Sequence, residues 1–252
     1  MGALDGNSLY LQRIELAEPI PTGDYVGELP VVRSLAAGGL DFKKPATIFV
    51  GENGVGKSTL VEAIAIRMGF NPEGVTVNFN FSTRASHSRL CEYLRVIRGA
   101  RRRRDGFFLR AESFYNVATN IDELDAGAGG RRIVDSYGGE SLHAQSHGES
   151  FMSLVENRFG GKGLYVLDEP EAALSPMRIM RLMYRIQQLV DDESQFIVST
   201  HSPMLMALPG ADVLQIDEGG IERVDYRDTE HYLVTRKFLE NPEQMLQYLF
   251  EG

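Results

Sequence analysis

The sequence predicts an α/β protein built on a mainly parallel sheet with helices on both faces. Three observations lead there. Short apolar runs alternate with segments whose apolar residues recur every three or four positions, the pattern of strands returning to one sheet through helical crossovers. The run Ala46–Val50 passes into a glycine-rich loop and then a helix, with Leu60, Ile64 and Met68 on one stripe and Gly69 and Pro72 to end it. Two later apolar runs, Leu164–Leu167 and Gln195–Thr200, lead into titratable residues, at the edge where open α/β sheets bind ligands.

Taken in order, strands are expected at Leu9–Leu16 and Leu29–Ser34, ahead of Ala46–Val50. Between Asn71 and Gly160 the pattern gives a strand at Val75–Phe81, a helix over Arg84–Arg98, a strand at Gly106–Ala111 and a glycine-rich stretch at Gly127–Gly130. A helix follows at Pro176–Val190, a hairpin over Asp212–Asp225 turning at Gly219–Gly220, and a last helix from about Glu243. No repeat or coiled-coil heptad interrupts this. The expected organisation is one domain over residues 1–252, with a small helical subdomain inserted at 84–160.

Composition narrows the class. With 43% hydrophobic and 24% charged residues the chain reads as globular. Its net charge of −9 argues against a surface that binds nucleic acid everywhere. Cys91, the single cysteine, excludes an internal disulfide and reads as a small buried or half-buried residue. Met1–Leu11 lacks the basic and apolar regions of a signal peptide. Ser194–Ala211 carries no Asp, Glu, Lys or Arg, but His201, Pro203 and Pro209 make it a buried strand, turn and helix rather than a membrane span. A cytoplasmic location is expected.

The chemistry begins at "GENGVGKST", Gly51–Thr59. Small residues let successive backbone N–H groups wrap phosphate oxygens, and the helix that starts there turns its positive end toward them. Glu52, Asn53, Gly54, Val55, Gly56, Lys57, Ser58 and Thr59 are the expected nucleotide-binding residues. Lys57 supplies a point charge and Ser58 a hydroxyl for Mg²⁺. The spacing predicts a bound nucleoside triphosphate. Downstream, "LYVLDEPEAALSP" sends Asp168 and Glu169 out of the sheet together. Neighbouring strand residues point oppositely, so the two acids can take separate roles. Asp168 would orient Mg²⁺ or its waters, and Glu169 would polarise an attacking water. "QFIVSTHSP" ends a third strand at Thr200 and His201, with His201 lying 33 residues after Asp168.

These motifs resemble ATP-binding-cassette-type (ABC-type) P-loop ATPases, in particular soluble ones akin to SMC and DNA-repair ATPases. Proteins described only as AAA-family ATPases share the pattern. The resemblance runs from about Ala46 to Pro203: "GENGVGKST" as Walker A, "LYVLDEP" as Walker B, "EAALS" as D-loop and "STHSP" as the switch-histidine segment. It implies that ATP and Mg²⁺ are bound, that Glu169 is the catalytic base and that His201 contacts the γ-phosphate. It also implies a head-to-tail homodimer, with each ATP held between one subunit's Walker motifs and the other's signature.

The signature is expected about twenty residues before Walker B, where "QSHGE" stands and Ser146 precedes Asp168 by 22 positions. Against the L-S-G-G-E of the repair-type enzymes, Ser146, Gly148 and Glu149 match, while Gln145 and His147 replace leucine and glycine. The same residues describe an ordinary helix N-cap, with Phe151, Leu154, Val155 and Phe159 at helical spacing behind it. The family's Q-loop glutamine is missing between Ser58 and Ala144, and Glu112 is the candidate metal contact in its place. Tyr10, Tyr25 and Arg33 are candidates for the adenine contact.

The function expected is ATP hydrolysis in such a dimer, coupled to a partner, in DNA repair or defence. Two other readings fit the motifs: the nucleotide-binding subunit of an ABC transporter, and a non-hydrolysing ATP switch for an effector protein. Six arginines in "RVIRGARRRRDG", Arg95 to Arg104, form a candidate contact for nucleic acid or an acidic partner, centred on Arg101–Arg104.

Overall fold

The computed structural model describes residues 3–71, 89–111, 135 and 142–251. Strand β1 (Leu11–Leu16), short α1 (Tyr25–Glu28), α2 (Pro30–Gly38) and β2 (Leu40–Asp41) lead into β3 (Ala46–Val50), buried at all five positions. Then come α3 (Lys57–Arg67), α4 (Leu90–Tyr93), β4 (Leu94–Arg98) and β5 (Asp105–Arg110). The second half runs α5 (His147–Arg158), β6 (Gly163–Asp168), α6 (Pro176–Asp191), β7 (Gln195–Ser199) and α7 (Pro203–Met206). It ends with β8 (Asp212–Asp217), β9 (Gly220–Arg223), α8 (Glu230–Glu240) and α9 (Pro242–Glu251).

Six strands form the main sheet in the order β5-β6-β7-β3-β8-β9, parallel except for β9, which returns antiparallel from β8. Because side chains alternate across a strand, each central strand feeds both faces. Ile48, Phe107, Leu109, Tyr165, Leu167 and Val198 pack with Phe151, Leu154 and Val155 of α5 and with Ile179, Leu182 and Ile186 of α6. Their neighbours Phe49, Phe108, Leu164, Val166 and Ile197 pack the other way, against α3, α2 and the N-terminal strands. The fold class is therefore the predicted one.

Three expectations change. Leu29–Ser34 is not a strand. Pro30 occupies the first turn of α2, where its missing N–H is no loss, and Val31, Val32 and Leu35 are buried on one helix face. The helix expected over Arg84–Arg98 is, from residue 89 on, only the turn α4 followed by β4. β4 pairs antiparallel with β1, register Glu15↔Arg95, and Arg95 binds the Glu15 carboxylate across the strands. With β2 these make a separate three-stranded sheet, order β2-β1-β4. Helix α8 also lies where only loop was expected, before the anticipated C-terminal helix. The strand expected at Val75–Phe81, the stretch Gly127–Gly130 and Glu112 lie outside the described residues, as do residues 84–88, 112–134 and 136–141 of the expected insertion; its described parts include β4 and β5, strands of the two sheets.

Candidate nucleotide site

The parallel strands end level with one another, and that edge gathers the predicted residues. Register pairs Arg110 with Asp168, Asp168 with Ser199 and Phe49 with Ser199. The carboxyl ends of β5, β6, β7 and β3 therefore present Arg110, Asp168–Glu169, Thr200–His201 and the phosphate loop side by side.

Leaving β3, the chain folds tightly over β8. A Cβ on Gly51, at φ +145°, would stand 2.1 Å from the Ile216 carbonyl oxygen, so only glycine fits. The loop then curls around its own lysine: Lys57 Nζ donates to the carbonyls of Gly51 at 2.7 Å and Glu52 at 2.8 Å. Lys57 is buried. Burial pushes its ammonium below the usual lysine value, while Glu169, Asp168 and Glu171 pull the other way. Two cavities flank the loop. One, of about 470 Å³, is lined by Gly51–Val55, Gln215–Glu218, Glu230 and His231. The other, of about 270 Å³, is lined by Ser58, Thr59, Glu62, Arg110, Asp168 and Glu169.

Asp168 is buried and held through both oxygens. Ser199 Oγ donates to Oδ1 at 2.5 Å, and Arg110 Nε to Oδ2 at 2.9 Å. Arg110 also reaches Glu62 at 2.7 Å, clamping α3 to the end of β6. Sequence reasoning missed Arg110, although a cation ending an apolar strand of a parallel sheet is a legible signal. Glu169 takes the left-handed conformation, φ 49° and ψ 51°, which costs a non-glycine residue roughly 1–3 kcal/mol. Its carboxylate turns toward His201, with Oε1 at 3.4 Å from Nε2.

His201 is held from two sides. Its backbone N–H donates to Glu171 Oε1 at 2.5 Å, and its Nδ1 lies 2.9 Å from His231 Nε2. Its Nε2 is buried without a hydrogen bond. Burial and the charge of Lys57 hold the imidazole below the usual histidine range, against the pull of Glu169. His231 was not legible in the sequence, since it lies 30 positions away on the unexpected helix α8.

The signature candidates form their own cluster and line neither cavity at the loop. Ser146 caps α5 through a capping box, its backbone N–H donating to Glu149 Oε2 at 3.0 Å and its Oγ to the same oxygen at 2.5 Å. Glu149 Oε1 pairs with Arg178 of α6 at 3.0 Å. Gly148 packs on the 3-10 helix Pro170–Ala173, where a Cβ would stand 2.8 Å from the Ala173 carbonyl oxygen. His147 is exposed. Arg181 and Arg185 extend the grip of α6 on α5, through Glu156 and the Phe159 carbonyl.

Other candidates fall elsewhere. Tyr10 is buried with its hydroxyl on the Glu193 carbonyl, at the opposite edge of the sheet, and Arg33 pairs with Glu218. Neither they nor Tyr25 line the cavities at the loop. Cys91 is buried, and burial pushes its thiol up. Of the six arginines, Arg95 binds Glu15, Arg98 the Arg67 carbonyl, Arg101 Glu193 and Arg103 the Met68 carbonyl. Arg102 and Arg104 are exposed beside a cavity of about 560 Å³. No helix among the described residues is long and apolar enough to cross a membrane.

Ser58 and Asp168 line one small cavity, and oxygen donors of this kind suit Mg²⁺, which takes one or two carboxylates and completes its shell with water and phosphate. That no group of three His, Cys, Asp or Glu gathers among the described residues does not disfavour such an ion.

The sequence matches two family models. One, "AAA domain", covers residues 32–88; the other, "AAA domain, putative AbiEii toxin, Type IV TA system", covers residues 150–207. No curated protein matches. Solved structures similar to it include "An inward-facing conformation of a putative metal-chelate type ABC transporter", at 14% identity and TM-score 0.49 over 90% of this chain and 88% of that one. An ATP binding subunit of an ABC transporter aligns at 15% identity and TM-score 0.47, covering 90% and 93%. CbiO1 from Clostridium perfringens, part of the ABC transporter complex cbiONQ, aligns at 16% identity and TM-score 0.44, covering 96% and 99%. The first matched segment contains β3 and the phosphate loop, the second the acidic end of β6 and His201; the two segments that match AAA-domain models thus meet at one sheet edge, the arrangement of a P-loop nucleotide site.

Proposed function

We propose that this protein binds and hydrolyses ATP in a head-to-tail homodimer and couples that cycle to a partner. The observation that carries the reading is the convergence of Lys57, Asp168, Glu169 and His201 on one sheet edge, with His201 Nε2 buried and lacking a hydrogen bond beside Glu169. In this reading the loop N–H groups of Glu52–Thr59 and Lys57 hold the phosphates. Glu169 takes the proton of the water that attacks the γ-phosphorus, the bond to the leaving ADP oxygen breaks, and His201 contacts the transferred phosphoryl oxygens. Mg²⁺ neutralises charge on the phosphates when bound. Ser58 would ligate it, and Asp168, with both oxygens already in hydrogen bonds, would act mainly through its waters.

Ser146, His147, Gly148 and Glu149 are read as the signature that faces the partner's ATP. Support comes from the capping box, which gives α5 a pre-formed N-terminus whose positive dipole end suits an anion. The chain is read as a single ATPase domain, with α5 as its signature helix. The partner is read as nucleic acid at the exposed arginines or an effector protein, in repair or defence; the toxin named in one matched family description is in keeping with defence.

The test is mass in solution together with phosphate release. Glu169→Gln with Mg²⁺ and ATP is expected to give a stable dimer, and adding Ser146→Arg to return it to monomer. Wild-type protein is expected to release phosphate, with or without nucleic acid. A monomer at high concentration would sink the sandwich. Tight ATP binding with no turnover would leave a switch rather than an enzyme.

A further inference from the structure

The histidine after β7 has a second histidine behind it, and their geometry decides where its proton sits. His201 Nδ1 and His231 Nε2 are 2.9 Å apart, with ring centroids separated by 5.1 Å. One of these nitrogens carries the hydrogen. On the other side of the same ring, His201 Nε2 faces Glu169 Oε1 at 3.4 Å. If Nδ1 were the protonated nitrogen, a bare Nε2 lone pair would face a carboxylate, a repulsive arrangement. With the hydrogen on Nε2, that N–H points toward Glu169 and Nδ1 becomes an acceptor, so the donor between the rings is His231 Nε2–H.

The position of His231 is itself fixed. It is the second residue of α8, whose N-cap Thr229 is buried. Thr229 Oγ1 donates to the Tyr226 carbonyl at 2.6 Å and accepts from the Tyr232 N–H. His231 therefore approaches the sheet edge on a capped helix start, and its ring also lines the cavity beside the phosphate loop.

We propose that His231 is a positioning residue. Its Nε2–H donates to His201 Nδ1 and holds His201 in the Nε2–H tautomer, aiming that N–H at Glu169 and the space where the terminal phosphate of ATP would lie. No proton is transferred; a preformed hydrogen bond orients the group that meets the phosphate. The kinetic consequence rests on the hydrolysis reading, whereas the tautomer does not.

Two measurements separate them. In protein labelled with ¹⁵N-histidine, long-range nitrogen–carbon-proton NMR correlations report the tautomer without any turnover. His201 is expected as Nε2–H in the wild type, and as a mixture or the Nδ1–H form in His231→Phe, which keeps a ring and removes the donor. For turnover, His231→Phe is expected to lower kcat on the order of tenfold with KM for ATP within about twofold. His231→Gln, whose amide N–H can reach the Nε2 position, is expected to recover most of that loss. An unchanged His201 tautomer in His231→Phe overturns the proposal, as does a glutamine variant no better than phenylalanine. If the wild type releases no phosphate, the hydrolysis reading fails and the NMR arm still decides the role of His231.

Discussion

Glu169 and His201 show how the site is set one residue at a time. The left-handed backbone of Glu169 is retained because its N–H is bound by the Ser199 carbonyl, so the strain is held at the end of β6, beside His201. Burial and the charge of Lys57 disfavour the protonated form of His201, lowering its pKa. An imidazole whose pKa is lower folded than unfolded binds fewer protons in the native state. Its stabilising contribution is therefore complete above the unfolded value, about 6.5, and is lost as pH falls through that value toward the folded one. Between pH 7.5 and 5.5 the wild type is expected to lose more unfolding free energy than His201→Gln, measured by urea denaturation at each pH. Parallel pH profiles would remove His201 from the groups responsible.

At the scale of elements, α5 and His201 are joined through one short helix. Gly148 of α5 rests on the Ala173 carbonyl, and Glu171 of the same 3-10 helix accepts the His201 N–H. A movement of α5 therefore has a short route to His201. Gly148→Ala tests the packing. Alanine favours a helix by about 1 kcal/mol over glycine, but its Cβ meets backbone 2.8 Å away, and overpacking costs about 1–3 kcal/mol. A net loss of about 1 kcal/mol is expected, with Tm lower by about 2–4 °C. A Tm equal to or above wild type would show that the contact yields. The helix itself was legible, since Phe151, Leu154 and Val155 recur at its period and all are buried. The strand expected at Leu29–Ser34 was misread because β-branched residues suit strands in isolation, and burial against the sheet outweighed that preference.

Across the whole molecule the charged surfaces divide by sheet edge. The carboxyl edge holds Lys57 among carboxylates, while the opposite edge holds the arginine groove near Arg101 and its partner Glu193. Four of the six arginines of this stretch bind groups within the chain, which leaves Arg102 and Arg104 for an outside anion. If nucleic acid binds there, replacing both with alanine is expected to weaken binding and to reduce the slope of log K against log salt by about 2, at roughly 0.9 per phosphate contact. The unfolding free energy should stay within about 0.5 kcal/mol of wild type, because both side chains are exposed. An unchanged salt slope would place the nucleic-acid contact elsewhere.

By itself the sequence determined the parallel α/β class, the phosphate loop and the two titratable strand ends. Each of these is written locally, in a run of apolar residues followed within a few positions by glycines or titratable groups. Only the tertiary structure decided that Arg110 clamps Asp168 to Glu62, that Leu94–Arg98 is a strand of a second sheet, and that His231 stands behind His201. Those facts depend on which strand ends become neighbours and on where α8 returns, and pairing between residues tens of positions apart leaves no periodicity to read.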